Sequence, residues 1–176
     1  LTRSSAASDV YKRQALGYAS LSSNTTGSPN TAVGAYTLVL NTTGVRNTAC
    51  GYYVLYNNTG SNNSAFGDSS LSNNTTGSEN DAFGYNTLAS NTTGSNNCAF
   101  GAGALDANTT ASNNCAFGRD ALTENTTGHS NVAVGAYALD ANTTAFGGVA
   151  VGKNAGSSVT TGEQNTAVGD GALQNC

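Results

Sequence analysis

The side chains most able to do chemistry in this chain are asparagines. Asn-Thr-Thr recurs at Asn24, Asn41, Asn74, Asn91, Asn108, Asn125 and Asn142, and Asn57-Asn58-Thr59 supplies an equivalent tripeptide at Asn57. Each is an acceptor for N-linked sugar, and Asn62 and Asn73 are further acceptors. Two chemistries compete for them. One is a line of covalent glycans along one edge of the molecule. The other is an internal ladder, in which stacked amides bond to one another inside a bend, as they do in stacked β structures. An amide inside such a ladder cannot carry a glycan. Sugar on the neighbouring threonines is a third reading.

Other reactive groups are few. Cys98 and Cys115 share the context Asn-Asn-Cys-Ala-Phe-Gly and lie 17 residues apart, so they form either a disulfide between stacked repeats or two small packed thiols. Cys50 stands where other repeats have Val or Phe and is expected in the core. No Cys-x-x-Cys or Cys/His spacing points to a metal. His129 has no nucleophile in a credible setting, so no catalytic team is expected. Asp68, Asp106 and Asp140 read as scattered carboxylates without a calcium-binding repeat. The paired threonines raise the prospect of an ice-binding face, but adjacent residues in extended chain point oppositely, which argues against it.

What must position these groups is a repeat. An Ala-(Val/Phe/Cys)-Gly unit recurs with its glycine at Gly34, Gly51, Gly67, Gly84, Gly101, Gly118, Gly135, Gly152 and Gly169, after a degenerate copy ending at Gly17. The spacing is 17 residues, with one interval of 16 where Asn58-Thr59-Gly60 replaces Asn-Thr-Thr-Gly. Leucine follows four residues after the glycine at Leu21, Leu38, Leu55, Leu71, Leu88, Leu105, Leu122, Leu139 and Leu173. The consensus is N-T-A-V/F-G-x-x-A-L-x-x-N-T-T-G-S-x.

Seventeen residues are too few for a helical pair but suit one coil of a β-solenoid. The chain is therefore expected to be all-β: a parallel β-solenoid (a β-roll or β-helix) of about ten coils, with about 17 residues in each. Thr-Ala-Val/Phe predicts a strand through its β-branched and aromatic residues. The glycine predicts a bend. The Ala/Ser/Thr-Leu segment predicts a second short strand with leucine buried, and Asn-Thr-Thr-Gly a second bend. At about 4.8 Å per coil, ten coils make a rod of about 48 Å. Phe66, Phe83, Phe100 and Phe117 share one phase and predict a stacked aromatic ladder, in the core or at a contact between chains; a sugar-binding strip is the alternative. Flexible polar linker is the competing reading, but linkers have no reason to hold leucine in register.

Composition agrees. The chain has 24 Asn, 24 Thr, 19 Ser, 22 Gly and 26 Ala among 176 residues, and strong helix formers are scarce. Its net charge of −4 excludes a general nucleic-acid binder, and no apolar run is long enough to span a membrane as a helix. Residues 1–14 hold three of the six basic residues and read as a non-native leader of the kind translated from sequencing adapter. Residues 15–176 are then one repeat array, expected to continue beyond both ends.

The combination of Asn-Thr-Ala-Val-Gly, Ala-Leu and Asn-Thr-Thr-Gly resembles the head repeats of trimeric autotransporter adhesins. It is also similar to the longer repeats of phage and bacterial fibre proteins. The resemblance covers residues 15–176 and implies a parallel β-roll displayed outside the cell. The expected function is that of a structural fibre or filament protein, with or without a glycan coat. The alternative is the shaft or head of a phage tail fibre or adhesin. No cofactor is expected beyond covalent glycans. Expected partners are further copies of the chain, in a filament or homotrimer, and a cell-surface receptor or glycan.

Overall fold

A computed structural model of the chain describes residues 12–174. Ten parallel strands form one sheet in chain order: β1 (Arg13–Leu16), β2 (Asn30–Val33), β3 (Asn47–Tyr52), β4 (Ser64–Asp68), β5 (Asp81–Phe83), β6 (Cys98–Phe100), β7 (Cys115–Phe117), β8 (Val132–Val134), β9 (Val149–Val151) and β10 (Thr166–Val168). Each strand pairs with its sequence neighbour, and the register equals the repeat: Ala82 lies beside Ala99, and Ala99 beside Ala116. The molecule is the all-β parallel solenoid that the spacing predicts, with ten strands enclosing about nine turns. β1 begins at Arg13, so Arg13 and Gln14, expected from the sequence to stand apart from the repeat array, pair with Asn30 and Thr31; residues 1–11 of that stretch lie outside the described residues.

The strand at Thr-Ala-Val/Phe is present. The second strand is not: the leucine segment is a run of turns among the described residues. The reason lies in the backbone. Every leucine of the column adopts the left-handed conformation, with φ of 52° at Leu88 and 54° at Leu105. The residue two positions earlier is left-handed as well, as at Tyr36, Tyr53 and Asp120. Such a residue costs roughly 1–2 kcal/mol in isolation. Here it is held in place by the coil above and below, because Leu88 N–H donates to the Ala104 carbonyl and Leu105 N–H to the Ala121 carbonyl, both at 3.0 Å. Leucine tolerates this φ where a β-branched residue would not. The tight bends close the coil in so few residues that only one strand fits.

The core is correspondingly thin. Leu38, Leu55, Leu71, Leu88, Leu105 and Leu122 are fully buried, Leu139 almost so, and Leu21 and Leu173 pack half-buried against the same column. They meet the central alanine of each strand, from Ala32 to Ala167. Because side chains alternate across a strand, an inward alanine forces both of its neighbours outward. Phe66, Phe83, Phe100 and Phe117 therefore lie on the outer face of the sheet, which corrects the expectation that they join the core ladder. Cys50 is on the same outer face, half-buried, and is likewise not a core residue. The phenylalanines do stack, with centroids 4.7, 4.4 and 4.9 Å apart and planes within 10° of parallel.

The glycine after each strand cannot be replaced freely. At Gly101, φ is 132° and an added Cβ would sit 2.5 Å from the Gly118 carbonyl oxygen of the next coil. A side chain there would push the coils apart.

Candidate functional site

The asparagines of the Asn-Thr-Thr turns point inward and are buried at Asn41, Asn58, Asn74, Asn91, Asn108, Asn125 and Asn142. Their amides form a ladder along the rod. Asn91 Nδ2 donates to Asn74 Oδ1 at 2.7 Å, Asn108 to Asn91 at 2.8 Å, Asn125 to Asn108 at 3.1 Å and Asn142 to Asn125 at 2.9 Å. The second hydrogen of each Nδ2 goes to the carbonyl three residues on, such as Gly94 for Asn91 and Gly128 for Asn125. Both hydrogens are thus used, and the atom that an N-glycan needs is enclosed. A sugar at these positions would cost two hydrogen bonds and the closed turn.

The shortened turn places Asn58, not Asn57, in the ladder. Asn57 is half-buried at the surface and donates instead to the Ser72 carbonyl at 3.1 Å. The turn also interrupts the ladder. Asn58 Nδ2 turns to the Gly60 carbonyl at 2.9 Å, and the buried Oδ1 of Asn41 accepts no bond. Asn24 and Asn41 remain joined to each other at 3.1 Å. The acceptors left at the surface are Asn57, Asn62 and Asn73, together with the half-buried Asn24 at the end of the ladder.

A second ladder stands outside the expectations drawn from the sequence. Asn30 and Asn47 open β2 and β3, Asn63, Asn80, Asn97, Asn114 and Asn131 directly precede β4 to β8, and all seven are buried. Each Oδ1 accepts the backbone N–H of the equivalent residue one coil on, as from Asn97 to Asn80 and from Asn114 to Asn97, both at 3.0 Å. Each Nδ2 reaches a turn carbonyl 13 or 14 residues ahead, as from Asn97 to Ala111. The signal was an asparagine two residues before each strand alanine from Ala32 to Ala133, but bonds made to neighbouring coils are invisible within one repeat.

The first threonine of each pair is also committed. Thr75 Oγ1 donates to the Thr92 carbonyl at 2.9 Å, and Thr92 Oγ1 to the Thr109 carbonyl at 3.0 Å. The second threonine, as at Thr76 and Thr93, is exposed.

Cys98 and Cys115 are register partners on β6 and β7 and are free thiols, half-buried on the outer face. Burial, with Cys115 and Asp81 adding to it, pushes the Cys98 thiol up to about 11, and burial raises Cys115 too. Neither is an activated nucleophile at neutral pH. The carboxylates are less scattered than expected. Asp106 and Asp140 each feel both Asp120 and Glu124, so four acids from adjacent coils share one flank. Burial first, and this mutual repulsion second, hold Asp106 above the ordinary carboxylate range. No group of three metal-ligating side chains is assembled among the described residues. His129 stacks on Phe146 at 5.1 Å.

No family model, curated protein or solved structure matches the chain.

Proposed function

We propose that the chain is a rod segment of an extracellular structural fibre or filament. Its role in this reading is mechanical and not catalytic. The supporting observation is the double asparagine ladder. Polar side chains that could serve a ligand are instead buried and spent on joining each coil to the next, so the sequence invests its chemistry in axial cohesion. The repeat's likeness to adhesin heads and fibre proteins supports display outside the cell. The test is electron microscopy of purified protein. Long thin filaments with an axial spacing of about 4.8 Å between coils are expected. Short particles that never associate would overturn the filament reading.

A second reading, side-by-side packing of chains as in an adhesin shaft, is favoured by one surface. The outward column after each inward alanine runs Leu16, Val33, Cys50, Phe66, Phe83, Phe100, Phe117, Val134, Val151, Val168, with no charged member. Leu16 and Val168 are 70% and 69% exposed. A continuous apolar strip of this kind is characteristic of interface cores. Sedimentation of wild type against Phe100→Asp distinguishes the readings: a dimer or trimer that dissociates in the variant supports lateral packing, and a monomer in both removes it.

A further inference from the structure

Tyrosine is distributed unevenly over the rod. Of the eight tyrosines, Tyr18, Tyr36, Tyr52, Tyr53, Tyr56 and Tyr85 fall on the first five coils described. The fold does not require them, because the same phases carry Ala102, Gly103, Lys153, Asn154 and Asp170 on later coils. Three of them form a pattern. Tyr18, Tyr52 and Tyr85 each follow the bend glycine on alternate coils: Tyr52 ends β3, and Tyr18 and Tyr85 stand two residues past the ends of β1 and β5. They are 71%, 49% and 60% exposed, among the most exposed large side chains of the rod. On the coils between them the same phase holds Ala35 and Asp68, which leave the rings standing proud.

The spacing of this row is set by the backbone. The Tyr18 carbonyl accepts from Tyr36 N–H at 2.9 Å, Tyr52 from Ser69 at 2.9 Å, Asp68 from Asn86 at 3.0 Å and Tyr85 from Gly103 at 2.9 Å. Successive exposed rings are therefore two coils, or about 10 Å, apart along the axis. That is close to the repeat of two sugars in an extended β-1,4-linked glycan, whose apolar ring faces pack against aromatic side chains. Tyr36 supports the row from the side, with its ring 5.3 Å from Tyr18 and 5.9 Å from Tyr52, both edge-on. Tyr53 stacks on Tyr56 at 4.3 Å and widens the platform. Asp68 lies in register with Tyr52 and is held by the Ser69 hydroxyl at 2.7 Å. A carboxylate between the rings accepts bonds from sugar hydroxyls and repels a uronic-acid chain.

We propose that the Tyr18–Tyr52–Tyr85 row is a binding platform for a neutral, extended β-1,4-linked polysaccharide lying along the rod axis. The row lies two residues beyond the outward column on each of its coils, after Leu16, Cys50 and Phe83, and binding does not depend on whether the rod forms filaments. Rigid, amphipathic tyrosines supply contact area at small entropic cost, and backbone-fixed spacing pre-organises them.

The test uses the full chain and two probes, cellohexaose and chitohexaose, which separate glucan from N-acetylated glycan. The protein has no tryptophan, so tyrosine fluorescence reports binding directly. The expected result is a saturable fluorescence change with at least one probe and co-sedimentation with the matching insoluble polymer. The triple variant Tyr18→Ala/Tyr52→Ala/Tyr85→Ala should weaken binding by roughly tenfold or more. Tyr137→Ala, on a distant coil, should leave it unchanged. Circular dichroism checks that the exposed substitutions leave the fold intact. No binding of wild type to either probe, or equal binding by the triple variant, would overturn the proposal.

Discussion

Asn91 Nδ2 lies 2.7 Å from Asn74 Oδ1, and its other hydrogen closes the turn onto the Gly94 carbonyl. One side chain thus joins two coils and shapes a bend. Removing it should leave Asn74 Oδ1, the Gly94 carbonyl and the Asn108 amide short of partners in a buried place. Asn91→Ala is expected to cost about 2–4 kcal/mol, whereas Asn73→Ala, at an exposed position, should stay within about 1 kcal/mol. Urea unfolding of the two variants measures the difference. Mass spectrometry of protein from a glycosylating host adds a second check: sugar is expected only at Asn24, Asn57, Asn62 or Asn73, and occupancy of Asn91 in folded protein would contradict the ladder.

The inward and outward apolar columns should respond differently to the same change. Leu105→Asn puts an amide into a fully buried column and should cost roughly 2–4 kcal/mol. Phe100→Asn faces outward and should cost less, about 1 kcal/mol, through loss of ring stacking. Equal melting temperatures for the two variants would mean that the leucine column is not the core.

The ladder fault at the short turn offers a stabilising change. Inserting one threonine after Thr59 restores Asn-Thr-Thr-Gly and lets Asn58 reach Asn41 Oδ1. A gain of about 1 kcal/mol is expected, since a buried unpaired acceptor acquires its donor. Hydrogen exchange should show slower opening around residues 41–60. Unchanged exchange there would show that the fault is energetically silent.

The acidic flank predicts a pH dependence. Asp106 and Asp140 hold their protons above the usual value of 3.8, mainly through burial. The folded state therefore binds protons more readily than the unfolded chain. Stability is greatest below the ordinary carboxylate range and falls as pH rises through the raised values of these groups. The rod is expected to melt higher at pH 4 than at pH 7, and Asp106→Asn should narrow that gap by raising the pH 7 melting temperature. A variant that melts lower at pH 7, with the gap intact, would show that the carboxylate is stabilising as it stands.

Much of this architecture is legible in one repeat. A leucine that returns every 17 residues must stack on itself if the coils stack, and the structure buries the column from Leu38 to Leu139. The parallel register follows from the period alone. The direction of the side chains did not follow. Thr-Ala-Phe can face either way, and the choice of alanine as the inward residue depends on the width of a coil whose second side is built from left-handed turns. Those turns arise because neighbouring coils hold Leu88 and Leu105 at a φ that neither would choose alone. The asparagines show the same division. Their phase is plain in the sequence, and so is the competition between sugar and ladder at each. Which nitrogen hydrogens are free, that Asn58 displaces Asn57, and that a second ladder runs from Asn30 to Asn131 are properties of adjacent coils. Local sequence determines what each coil can offer; only stacking decides which of those groups remain available, because the amide-to-amide bonds of the first ladder, such as Asn91 to Asn74, cross from one repeat to the next.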